Sequence, residues 1–150
     1  MMNGRHVVNG WLKTLGPQFG LDESGRCFLQ PDQQTGIVVY APDEGDDVFL
    51  YADLMRAPEE SPPGFYERVL SLNARTAQTH GAAVAFEPHS HQLLAIVSQP
   101  IPSLDAQAFS NILENLPDAL LSLRTQIKNL LMDCTRSDAS AKGSHIVQHA

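Results

Sequence analysis

The stretch Gly36–Leu54 reads GIVVYAPDEGDDVFLYADL, and its two flanks predict a β-hairpin. Ile37 to Tyr40 on one side and Val48 to Tyr51 on the other are mostly β-branched or aromatic, residue types that suit a pleated, half-buried surface. Between them Asp43, Glu44, Gly45, Asp46 and Asp47 supply turn chemistry. Along the first flank Ile37, Val39 and Ala41 alternate with Val38 and Tyr40, and along the second Val48, Leu50 and Ala52 alternate with Phe49 and Tyr51. Both faces are apolar, which predicts a sheet covered on both sides.

Upstream, Val8, Trp11, Leu12, Leu15 and Phe19 recur at steps of three and four, predicting an amphipathic helix from Arg5 to about Gln18. Gly16 and Pro17 weaken its end, and Asp22 to Gly25 form a turn before a short strand from Arg26 to Gln30. Three strands joined by short connections predict an antiparallel meander. Downstream of Leu54, residues 57–64 (APEESPPG) suit neither strand nor helix interior, and Ser61 is the predicted N-cap of a helix with Pro62 at its first position. That helix is predicted to run to His80 and Gly81 with two apolar stripes, Phe65, Val69, Leu72, Thr76 and Tyr66, Leu70, Ala74, Ala77. One stripe suits the sheet; the second suits either another subunit or a wide face buried in one monomer.

Ala82–Glu87 and His91–Gln99 form a second predicted hairpin around Pro88, His89 and Ser90. Leu93, Ala95 and Val97 face one way and Leu94 and Ile96 the other, so this strand belongs inside the sheet or in an interface. Ser103 is the predicted cap of a last helix, on which Phe109, Ile112, Leu113, Leu116, Leu120, Leu123, Ile127 and Leu130 keep near-perfect helical spacing. Pro117 lies inside it and is predicted to kink or split it. The sequence divides into one domain, 1–132, and a polar, aperiodic tail, 133–150, predicted to be mobile.

A chain of 150 residues buries roughly 68–70% of its unfolded surface, so no metal or disulfide is required to hold it. The net charge of −7, with Lys and Arg scattered, argues against nucleic acid and anionic membranes as partners. No apolar run resembles a signal peptide or a membrane span, which predicts the cytosol, and Cys27 and Cys134 are then reduced thiols.

Chemistry is sparse. The glycines are spread singly rather than in a phosphate-binding loop. His80, His89 and His91 could be considered for a metal, but no Cys, Asp or Glu stands at matching spacing, and exposed turn histidines are the simpler account. The acidic turn lacks the alternating ligands of a calcium loop, and nothing local marks Cys27 as an activated nucleophile. The reading is therefore a non-enzyme with no cofactor and no metal. What exceeds background is apolar surface, on Trp11 and on the strand faces, unless these simply form a well-covered core.

Four segments occur together in order: LGPQFGLDESGRCFL from Leu15, DDVFLYADL from Asp46, LSLNARTAQTHGAAVAFEP from Leu70 and QPIPSLDAQAFSNILENL from Gln99. Their order and spacing resemble the class I type III secretion chaperones of the Tir chaperone (CesT-like) family, over about Val7 to Ile127. The resemblance implies an α+β fold, an antiparallel five-stranded twisted sheet with three helices in the order α-β-β-β-α-β-β-α, assembled as a homodimer. It implies a bacterial cytoplasmic protein that binds the N-terminal chaperone-binding region of a cognate effector and keeps it soluble and partly unfolded for export. Mapped onto this chain, the implied cargo-binding residues are Val8, Trp11, Leu12, Leu15, Phe28 and Leu29, and the implied dimer residues are Leu70, Ala74, Val84, Phe86, Leu94 and Ile96. On this mapping Trp11→Glu is expected to weaken cargo binding and leave folding intact, whereas unfolding would assign Trp11 to the core. Alternatives are a module of the same fold that sequesters a regulator, or a small enzyme using Cys27 or the three histidines.

Overall fold

The alternation read from Gly36–Leu54 does fold as a hairpin, β2 (Thr35–Tyr40) and β3 (Asp47–Arg56), with Tyr40 opposite Phe49 next to the acidic turn. The computed structural model describes the backbone of residues 3–149 and the side chains of residues 3–140. Helix α1 (Gly4–Leu15) and strand β1 (Arg26–Asp32) precede the hairpin, followed by α2 (Phe65–Ser71), β4 (Ala83–Glu87), β5 (Gln92–Pro100) and α3 (Ala106–His149). All strand pairs are antiparallel and the sheet order is β1-β2-β3-β5-β4, so β1 and β4 are the edges.

One face of the sheet is core. Cys27, Leu29, Ile37, Val39, Val48, Leu50, Ala52, Val84, Leu93, Ala95 and Val97 are buried on it, in one cluster with Val8 and Leu12 of α1, Phe65 and Val69 of α2, and Phe109, Leu120 and Ile127 of α3. The expected cover on both sides is not what this chain builds. Its helices pack on one face, and the other carries half-buried Val38, Tyr40, Phe49, Tyr51, Leu94 and Ile96 with an exposed Phe28. Tyr40, Phe49 and Tyr51 lie ring to ring there at 6.2–6.4 Å, and the Arg26 guanidinium sits 4.2 Å over Tyr40. Mutual ring contact and cation–π attraction partly replace the missing layer.

Several element ends differ from the sequence reading, each for a local reason. Helix α1 stops at Leu15 rather than near Gln18, and Phe19 returns to the core through a turn in which its N–H donates to the Gly16 carbonyl. Pro31 falls within β1, at a register irregularity between Leu29 and Asp32, where a missing N–H costs no ladder bond. Ser61 does not cap α2: Gly64 does, at φ 81°, and the helix begins where Phe65 enters the core. Helix α2 is also far shorter than predicted, passing at Leu72–Ala74 into a 3₁₀ turn. Ser103 donates to the Pro100 carbonyl instead of capping α3, and the Asp105 carboxylate takes that role by accepting the Ala108 N–H at 2.7 Å.

Helix α3 is one helix through Pro117, not two segments. Buried residues on both sides of the proline, Leu113 and Leu116 before it and Leu120 and Leu123 after it, belong to the same cluster and hold the turn in place. The helix also continues past Asp133, the expected start of the tail, and Cys134 is buried; the side chains of residues 141–150 lie outside the described residues. Arg124 ties α3 to the sheet beyond the last β2–β3 pair, donating to the carbonyls of Leu54 at 3.0 Å and Asp53 at 2.6 Å.

Candidate functional site

Strand β1 is an edge, so half of its main-chain groups face outward. The Ala41 N–H donates to the Gly25 carbonyl at 2.9 Å, which fixes the alternation. Gly25, Cys27 and Leu29 turn their groups toward β2, and Arg26, Phe28 and Gln30 turn theirs away from the sheet. The outward groups of Arg26 are both occupied by Asp22, whose carboxylate accepts the Arg26 N–H at 3.0 Å and whose N–H donates to the Arg26 carbonyl at 2.7 Å. At Phe28 only the Cys27 thiol approaches the carbonyl, at 3.9 Å, and outside the β1–β2 ladder no described group bonds the main chain of Gln30.

Asp22 accepts from the Ser24 hydroxyl at 2.6 Å, and this bond, with the Arg26 N–H, holds its carboxyl below the usual carboxylate range. Asp32, at the far end of β1, is lowered likewise by the Gln34 N–H and the Thr35 hydroxyl. Gly25 closes this turn at φ 84°, with Arg5 packed against it, Arg5 donating to Ala41 and Ser24 carbonyls and pairing with Asp43. A side chain at Gly25 would meet the Ala41 carbonyl and the guanidinium.

Beside the open part of β1 lies an apolar groove of 240 Å³ between α1 and α3, floored by Leu29, Ile37 and Leu113, walled by Leu15 and Phe19, and rimmed by Gln30, Ser110 and Glu114. A second apolar groove, of 280 Å³, runs between α2 and β4, where Leu70 is 61% and Phe86 45% exposed over Val69, Val84 and Leu93.

The residues singled out from sequence divide accordingly. Leu15 and Phe28 are exposed at the first groove and the β1 edge, whereas Val8, Trp11, Leu12 and Leu29 point into the core, and Trp11 stacks on Phe109 with centroids 5.3 Å apart. Leu70, Val84 and Phe86 meet in the second groove, Ala74 is exposed in the adjoining 3₁₀ turn, and Leu94 and Ile96 lie on the opposite, open face of the sheet. Phe19, Ile37 and Leu113 of the first groove and Tyr66 of the second were not singled out. Their apolar spacing put them in a core but could not reveal the side chain's exposed margin.

Cys27 is buried, His91 approaches the Pro58 carbonyl and stands edge-on to Phe86, and His80 and His89 are exposed. Among the described residues no group of three His, Cys, Asp or Glu is arranged to hold a metal, and no helix is long and apolar enough to cross a membrane.

A model of the Tir chaperone protein (CesT) family matches residues 6–124. The chain belongs to that family. The five-stranded antiparallel sheet with three helices is likewise the fold of solved relatives of this CesT-family chain. The ExsC-ExsE complex contains a chain with TM-score 0.66 and 22% identity, covering 79% of this chain and 92% of that one. The HopA1-SchA chaperone-effector complex gives 0.63 and 15%, covering 80% and 91%. The heterodimeric ExoU-SpcU complex from the type III secretion system of Pseudomonas aeruginosa gives 0.58 and 20%, covering 83% and 97%. No curated protein sequence matches the CesT-family chain.

Proposed function

We propose that the chain is a type III secretion chaperone, a non-enzymatic homodimer of the bacterial cytoplasm that holds the N-terminal region of a cognate effector in extended form. The observation that carries this reading is the open β1 main chain at Phe28 and Gln30 directly beside an apolar groove. An extended segment can pair with such an edge through its backbone while one of its apolar side chains fills the groove, the physics of strand addition. A groove formed before binding reduces the ordering cost, and no nucleotide is needed to drive such a holder. Membership in a chaperone family supports the reading, as does a solved relative that is itself a chaperone–effector complex.

The cargo contacts in this reading centre on Leu15 and Phe28, with Leu29 supplying the groove floor. The dimer contact falls to the α2–β4 groove with Leu70 and Phe86. Affinity purification of the tagged chain from its own bacterium, followed by truncation of the dominant partner, tests the proposal. A partner retained through a segment near its own N-terminus is the expected result. Retention of a regulator instead would favour sequestration, and absence of any partner while secretion genes are expressed would overturn the chaperone reading.

A further inference from the structure

The two sheet edges are not equivalent. On β4, the register with β5 sets Ala83, Ala85 and Glu87 apart from Val84 and Phe86, and the outward set is identified by what meets it. The Asn73 side chain takes both main-chain groups of Val84: its carbonyl oxygen accepts the Val84 N–H at 2.7 Å and its amide donates to the Val84 carbonyl at 3.1 Å. An asparagine amide carries a donor and an acceptor side by side as a peptide group does, so Asn73 stands where a residue of an added strand would stand. Leu72, buried next to it in the 3₁₀ turn, fixes that position. On β1 the comparable device, Asp22, closes only Arg26 and leaves Phe28 and Gln30 open.

We propose that Asn73 is a specificity-determining residue that denies the β4 edge to an extended partner and so confines main-chain addition on this sheet to β1. The identity of the extended partner rests on the chaperone reading; the closure of β4 does not, and it can be measured with the full chain alone as the probe. In the wild type, amide hydrogen exchange is expected to find Val84 protected, and exchange of Val84 at the rate of unstructured chain would overturn the proposal whatever any variant does. In Asn73→Ala, Val84 exchange is expected to quicken about tenfold or more, because the hydrogen-bond partner at that edge is lost. Sedimentation should then detect assemblies larger than the wild type's, as two opened β4 edges pair. Asn73→Asp keeps the acceptor for the Val84 N–H and is expected to retain protection. Unchanged exchange and assembly in folded Asn73→Ala would overturn the assignment. Failure to find a cargo would remove the chaperone reading and leave these measurements untouched.

Discussion

At the scale of single residues, burial separates two roles that sequence could not. Trp11 is 7% exposed and stacked on Phe109, so Trp11→Glu places a charge inside the core instead of trimming a surface. The expected outcome is a loss of at least about 3 kcal/mol, seen as a much lower melting temperature, and not the intact fold anticipated for a cargo contact. An unchanged melt would refute the packing described for α1. Asp22 has the opposite character, exposed and polar, yet it closes the start of β1. Its carboxyl is held below the ordinary value of about 3.9, so the ionised group contributes stability that is present above that pH and lost as pH falls through the folded value. Melting of wild type against Asp22→Ala is expected to differ most above the ordinary carboxylate value and to converge as the pH falls through the lowered folded value. A gap that persisted in acid would show that the charge is irrelevant to the turn.

At the scale of elements, the hairpins were legible because strict alternation of β-branched and aromatic residues admits few other readings. Helix ends were less so. Both serines chosen as caps have the right chemistry in the wrong place, since the first turn of α2 is fixed by the docking of Phe65 and that of α3 by Asp105. The early end of α2 depends on Asn73 reaching Val84, a partner from a different element. Helix α3 carries the reverse lesson: Pro117 forbids one helical bond, a penalty of about 3 kcal/mol in a helix interior, yet buried residues on both flanks keep a single helix. Pro117→Ala restores the donor and is expected to raise stability by about 1 kcal/mol or more in chemical denaturation. A destabilised variant would mean that the ring's own packing outweighs the missing bond.

Taken as a whole molecule, the order of elements and the single core were readable, while the functional faces were not. Strands such as β3 and β5 are apolar on both sides, so sequence could not say which side the helices cover. The implied dimer residues accordingly fall on two surfaces, Leu70 and Phe86 on one and Leu94 and Ile96 on the other. Light scattering at micromolar concentration is expected to give a dimer for the wild type and a monomer for Leu70→Glu. The melting of the monomeric unit should change little, because Leu70 is largely exposed in the single chain. A monomeric wild type would contradict the proposed assembly, and an unaffected dimer in Leu70→Glu would move the contact to the open face of the sheet.

The sheet order β1-β2-β3-β5-β4 has a consequence for how this chain is born. Synthesis releases β1, β2 and β3 as a local meander, but the second neighbour of β3 is Gln92–Pro100, which pairs with it from Asp47↔Pro100 to Arg56↔Gln92. Until that distant strand leaves the ribosome, β3 is an unpaired edge, and the inner face of the meander waits longer still for Phe109 to Ile127 of α3 to cover it. For roughly the first two-thirds of its synthesis, a protein proposed to shelter another chain's apolar segment carries just such a segment of its own. It passes through the condition of a client before it can act as a holder.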